Sequence, residues 1–185
     1  MATGNCREGG VLTPGLAEFN RGNDADLRTA LSSCCAAQSW VARVLAGRPY
    51  ADEAELFAVA DAATAELDST GLEQALGGHP RIGERSPEHG AQARAASWSR
   101  QEQAGVASAD AELLAQLAAA NVAYEQRFGH VYLVCASGRS AAELLEVCRV
   151  RLEHDPATER GVVLDELAKI NRLRLIKLLS QEVAS

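Results

Sequence analysis

DPATERGVVLDELAKINRLRLIKLLSQE, residues 155–182, decides the class of the fold. Asp155 followed by Pro156 fits the N-cap and first position of a helix, because proline lacks the N–H that a first turn leaves unpaired. From there to about Glu182 nothing breaks the helical pattern. At 100° per residue, Val163, Leu167, Ile170 and Leu178 project within about 40° of Arg174. Lys169 and Arg172 project to the opposite, solvated side. A long terminal helix therefore carries an apolar stripe with one guanidinium inside it. A charge on a buried face requires a partner, because burying it alone is very costly. Two partners fit Arg174: an internal carboxylate, or a bound anion suited to its planar fork.

Working back along the chain, further helices follow from the same periodicity. Pro14 to Asn20 fits a short first turn carrying Leu16 and Phe19. A long helix is expected from Asp24 to Ala46, with Leu27, Leu31, Cys34, Val41 and Leu45 on one face and Gly47-Arg48-Pro49 as its stop. Asp52 and Glu55 form a capping box for a helix reaching about Leu67. Residues 68–90 read as an irregular loop, packed through Leu72, Leu76 and Ile82. Helices are expected over 91–104 and 110–128. Val131 to Cys135 reads as an isolated extended run. Ser140 with Glu143 is a second capping box, opening a helix that ends near His154. The sum is a single-domain, all-α bundle of about seven or eight helices spanning residues 12–185, after a flexible segment at residues 1–11.

Composition narrows the function. Of the 185 residues, 47% are hydrophobic but only 4% aromatic, which favours helix over strand. A net charge of -7 with no basic run argues against nucleic acid. The chain has no apolar run long enough for a membrane span, and MATGNCREGG has no apolar signal core. A small molecule or another protein is left as partner, and the cytoplasm as location. Five cysteines, two of them adjacent and none in a Cys-x-x-Cys pair, read as reduced core thiols.

The chemistry-bearing stretch is GGHPRIGE, residues 77–84. Gly77 and Gly78 permit a sharp change of direction, and Pro80 drives His79 away from helical dihedrals. Such a loop aims one imidazole. On a helix, Ser99, Glu102 and Gln103 share a face, so a hydroxyl, a carboxylate and an amide can meet one polar ligand. Ser99 and Glu102 also fit a plain capping box, although Gly105 follows too soon for one. His130, after a glycine and before the apolar run, is placed to line a site. His79 and His89 lack metal-ligand spacing, and no nucleophile elbow or phosphate loop is present.

In order, His79-Pro80-Arg81-Ile82-Gly83, Ser99 to Gln103, Tyr124 to Gly129, Gly138-Arg139-Ser140 and Leu173-Arg174-Leu175 resemble the 2-oxo-4-hydroxy-4-carboxy-5-ureidoimidazoline (OHCU) decarboxylase family of urate breakdown. Phe19-Asn20, Cys34-Cys35 and Trp40-Val41 resemble the family's first helices. The likeness covers about residues 12–180. It implies decarboxylation of OHCU to (S)-allantoin, without metal or organic cofactor, by an often dimeric all-α protein. It implies His79 and Glu102 as catalytic residues; from the chemistry, Glu102 is expected to orient the imidazole for proton handling. Pro80, Ser99, Gln103, Arg174 and the segment Leu133-Val134-Cys135 are implied as substrate-binding residues. His130 departs from the aromatic or apolar residue frequent there in the family. Two other readings compete: a non-catalytic helical partner-binding module, with Arg174 salt-bridged internally, and a hydrolase with Ser99 as nucleophile.

Overall fold

A computed structural model describes residues 14–83, 92–106 and 109–182. Its helices are α1 (Pro14–Arg21), α2 (Asp24–Cys34), α3 (Gln38–Ala46), α4 (Glu53–Ala65), α5 (Ser69–Gly77), α6 (Gln92–Glu102), α7 (Ala111–Phe128), α8 (Ala141–Arg151) and α9 (Pro156–Glu182), with a 3-10 turn at Ala104–Val106. No strand occurs among the described residues, so the all-α expectation holds, with nine helices against the seven or eight expected. The flexible segment expected at residues 1–11 lies outside the described residues.

α9 is the central post, packed against α1, α2 and α4, while α7 and α8 pair with each other. The Asp155 carboxylate caps α9 by accepting from the N–H groups of Ala157 and Thr158. Ser140 and Glu143 form the reciprocal capping box at α8. At α4 the Asp52 carboxylate accepts from the Glu55 N–H, while the Glu55 carboxylate accepts from the Ala51 N–H rather than from the cap residue itself. Each such cap is worth about 1 kcal/mol.

Two expected elements are corrected. The helix over 24–46 is two helices, because Cys35 adopts extended dihedrals. The break pays out locally: the Cys34 carbonyl accepts from Arg174, and the Gln38 N–H finds the Gln74 side chain. The loop over 68–90 contains α5, capped by the Asp68 carboxylate on the Gly71 N–H. Gly71, inside α5, is a packing position. A Cβ there would lie 2.9 Å from the Leu67 side chain and 3.2 Å from the Ser39 hydroxyl.

The interior holds two apolar cores. The larger gathers Leu16, Phe19, Trp40, Leu56, Leu167 and Leu178; the smaller gathers Leu117, Tyr124, Tyr132, Leu144 and Cys148. The run over residues 131–136 threads between them. Val131, Leu133 and Cys135 pack on the larger core, and Tyr132, Val134 and Ala136 on the smaller. That alternation is the period of two that an extended chain imposes. Its β-branched residues thus describe local conformation correctly, without making a sheet.

Candidate active site

The His79 loop is fastened at four points. The His79 N–H donates to the Leu76 carbonyl, ending α5. Arg81 forms a two-pronged ion pair with Glu125 of α7 at 2.5 and 2.7 Å. The Ile82 carbonyl accepts from the Asn121 amide, and the Gly83 N–H donates to the Gln103 side-chain oxygen, both at 2.9 Å. Gly83 has φ +88°, a left-handed conformation that favours glycine. The loop is therefore tied to both α6 and α7.

α6 contributes Ser99, Glu102 and Gln103 beside it. A Cβ on Gly105 would come 2.2 Å from the Arg139 carbonyl, so glycine there lets the end of α6 lie directly on the turn before α8. Arg174 reaches in from α9. Its Nε and Nη2 donate to the two oxygens of Glu102 at 3.2 and 3.0 Å, and Nη2 also donates to the Ser99 hydroxyl at 3.0 Å. The pair is almost fully enclosed, with Arg174 2% and Glu102 8% exposed. Lys177 stands 3.5 Å from the same carboxylate.

A narrow recess, partly open to solvent and with an enclosed volume of only about 20 Å³, is lined by His79, Pro80, Ser99, Glu102, Gln103 and residues 132–136, with Ile82 and Ile170 completing it. Every site residue that the resemblance implies, except Arg174, lines it. Arg174 instead lines a larger, open cavity of about 530 Å³, which shares His79, Pro80 and Ser99 with the first. Arg174 is thus both salt-bridged and cavity-facing, so the two readings of its partner are not exclusive. His130 does not line the recess. Its ring lies against Tyr124 and Phe128, and its Nδ1 sits 3.1 Å from the Val131 carbonyl.

Comparison with known proteins settles the kinship. The family model described as OHCU decarboxylase matches residues 20–176. This chain belongs to the OHCU decarboxylase family. A decarboxylase of that name from Amia calva is 34% identical over 134 residues, 72% of this chain and 76% of its own length. The Mus musculus decarboxylase is 33% identical over 142 residues, covering 75% and 77%. The Arabidopsis thaliana uric acid degradation bifunctional protein TTL is 31% identical over 80% of this chain, which spans 46% of that longer protein. Among solved structures, OHCU decarboxylase crystallised in the presence of (S)-allantoin superposes with a TM-score of 0.70 at 28% identity, over 86% of this chain and 99% of its own. An (S)-allantoin synthase shares the fold, with a TM-score of 0.66 at 15% identity over 88% of this chain and 53% of its own.

The electrostatics of the recess follow from its enclosure. Desolvation, and then the Arg174 charge, push the His79 imidazole down from 6.5 to about 3. His79 is half-buried, and at neutral pH its ring is uncharged, able to accept a proton. One expectation about it fails: Glu102 does not orient the imidazole. Its carboxylate is turned to Arg174 and Lys177, and no hydrogen bond joins it to His79 among the described residues. The backbone anchors fix the loop that carries it. Burial raises the Cys135 thiol and pushes Cys34 up to about 12, so neither is a thiolate at neutral pH. The described cysteines are free, and three of the four are buried. Ser99 meets a guanidinium rather than a base, which removes the support for a serine nucleophile.

A second buried ionic cluster escaped the sequence. Arg151 of α8 grips Glu159 of α9 through Nε and Nη2 at 2.8 and 2.5 Å, and its Nη1 donates to the Leu133 carbonyl at 2.7 Å. The Tyr124 hydroxyl donates to the same carboxylate, and His154 Nδ1 lies 2.8 Å from its other oxygen. Burial opposes the Glu159 charge, but these hydrogen bonds hold its carboxyl below the usual range. Arg151 and Glu159 look like ordinary polar helix-end residues in sequence, and no local pattern marks them as partners.

Proposed function

We propose that this protein decarboxylates 2-oxo-4-hydroxy-4-carboxy-5-ureidoimidazoline to (S)-allantoin in urate breakdown. The observation that carries the reading is the gathering of His79, Pro80, Ser99, Glu102, Gln103 and Leu133-Val134-Cys135 around one recess, in a chain of this family. The substrate has a carboxylate and a hydroxyl on one ring carbon, beside a C=N bond. When the bond to the carboxylate breaks, CO2 leaves and its electron pair forms a C=C bond, while the C=N pair moves to nitrogen, which takes a proton. The substrate supplies its own electron sink, so the side chains need only hold it and manage protons.

The product of that step is an enol. It becomes allantoin when its hydroxyl proton leaves and the carbon bearing the ureido group gains one, which fixes the hand. Neutral His79 is suited to take the hydroxyl proton and return one to carbon. Glu102, held by Arg174 and Lys177, offers a fixed anionic acceptor beside it. The Gln103 oxygen is already spent on Gly83, which leaves its amide N–H groups for a substrate carbonyl. Ser99 accepts from Arg174, which leaves its O–H to donate. The proposal extends to a homodimer, which the resemblance implies, and to action in the cytoplasm.

Urate, urate oxidase and hydroxyisourate hydrolase generate the substrate in situ, and circular dichroism follows the product. Addition of this protein is expected to give rapid growth of the (S)-allantoin signal, and His79→Ala to slow it about 10²- to 10⁴-fold. A signal-free drift to racemic product, unchanged by the protein, would leave the partner-binding reading in its place.

A further inference from the structure

We infer that Glu166 and Arg151 are positioning residues that hold the Val134 backbone as an open donor–acceptor pair in the recess; the inference rests on the function proposed above. Residues 131–136 are extended, yet no strand among the described residues pairs with them. On one edge, side chains meet two of their polar groups instead. The Leu133 carbonyl accepts from Arg151 Nη1, and the Cys135 N–H donates to Glu166 Oε2, each at 2.7 Å. In an extended chain the carbonyl of one residue and the N–H of the next residue but one leave from the same edge. The planar trans peptide then directs the N–H and carbonyl of the residue between them to the opposite edge.

That residue is Val134. It is 3% exposed and lines the recess, and neither its N–H nor its carbonyl finds a partner among the described residues. Buried backbone groups are nearly always paired. Two unspent groups on one residue, at the wall of a cavity, fit a ligand that offers a neighbouring C=O and N–H. A cyclic amide or a ureido group has that pattern. The two side chains clamping the far edge reach it from different helices, Arg151 from α8 and Glu166 from α9. Glu166 is itself fixed by Lys169 at 2.5 Å. Neither side chain lines the recess, so each acts through the peptide it holds.

Glu166 is the better one to vary, since Arg151 also braces Glu159. Glu166→Ala removes the acceptor, and Glu166→Gln keeps a carbonyl oxygen for the Cys135 N–H. NMR of the 15N-labelled protein without ligand reads the clamp directly. The Val134 and Cys135 amide signals should move and broaden in Glu166→Ala and return close to their wild-type positions in Glu166→Gln. Unmoved signals in Glu166→Ala would overturn the inference, whatever the protein's activity. With the decarboxylase assay, Glu166→Ala should raise KM about tenfold, the loss of one well-made hydrogen bond, and reduce the (S) excess. Glu166→Gln should stay within about threefold of wild type. Equal kinetic losses in both variants, or none in either, would reject the positioning role. A wild-type protein without turnover would refute the proposed function alone, and the amide signals would still decide the clamp.

Discussion

The molecule contains two buried arginine–glutamate pairs that differ in what else surrounds them. Arg151–Glu159 is sealed by its protein partners: the carboxylate is shared among Arg151, Tyr124 and His154, and Arg151 also donates to the Tyr124 hydroxyl and the Leu133 carbonyl, so Glu159 stays 1% exposed although it borders a separate cavity between α5, α7 and α9. Arg174–Glu102 is open: its partners line two cavities, and Lys177 gives Glu102 a second cation. Burial of an ion pair is therefore not a sign of function by itself. A sealed pair whose carboxylate is taken up by protein donors braces helices. A pair whose surroundings leave room beside it can exchange internal partners for a ligand.

The largest effect expected from this contrast is on stability. Arg151→Met strands a buried carboxylate and should cost about 3–5 kcal/mol. Arg174→Met leaves Glu102 with Lys177 and should cost less than about half as much. At about 2–4 °C per kcal/mol for a domain of this size, thermal unfolding separates the two. Equal losses would erase the distinction between sealed and open.

A smaller effect concerns pH. The folded-state pKa of His79 lies below its ordinary value, so protonation favours the unfolded chain. The stability this group supports is fully present above about 6.5 and is lost as pH falls from there towards 3. Urea unfolding of wild type and His79→Gln between pH 7 and 4 should show a shallower decline in the variant. NMR titration should show the His79 pKa rising in Arg174→Met, because the Arg174 charge is a cause of its depression, and staying put in a folded Arg151→Lys protein. A His79 pKa that ignores Arg174 would detach the loop from the open pair.

The smallest effect is a control outside both pairs. Ser140→Ala breaks the α8 capping box and should cost about 1 kcal/mol with KM unchanged. A large rise in KM would move Gly138-Arg139-Ser140 from the scaffold to the site.

How much of this was legible varies by residue. The stripe that placed Arg174 inside the bundle could be read from α9 alone, since helical periodicity is local. Ser99, Glu102 and Gln103 share a face for the same reason, and the caps at Asp52, Asp110, Ser140 and Asp155 are short-range chemistry. The break at Cys35 was not legible, because what makes up for lost helix bonds there comes from Gln74 and Arg174, far along the chain. α5 was not legible either, since within it Gly71 packs where a side chain would meet Leu67 and Ser39. Local preference at these points yields to tertiary contact.

The sequence by itself determined an acidic all-α bundle, its capped helices, the aimed His79 loop and the buried face carrying Arg174. These depend on neighbours within a turn or two. Only the tertiary structure decided which carboxylate each buried arginine takes, that Glu102 faces Arg174 rather than His79, and that the run through Val134 leaves one backbone edge unspent. Those outcomes pair groups from different helices, and a buried charge or peptide accepts whichever partner the packing brings within hydrogen-bonding distance.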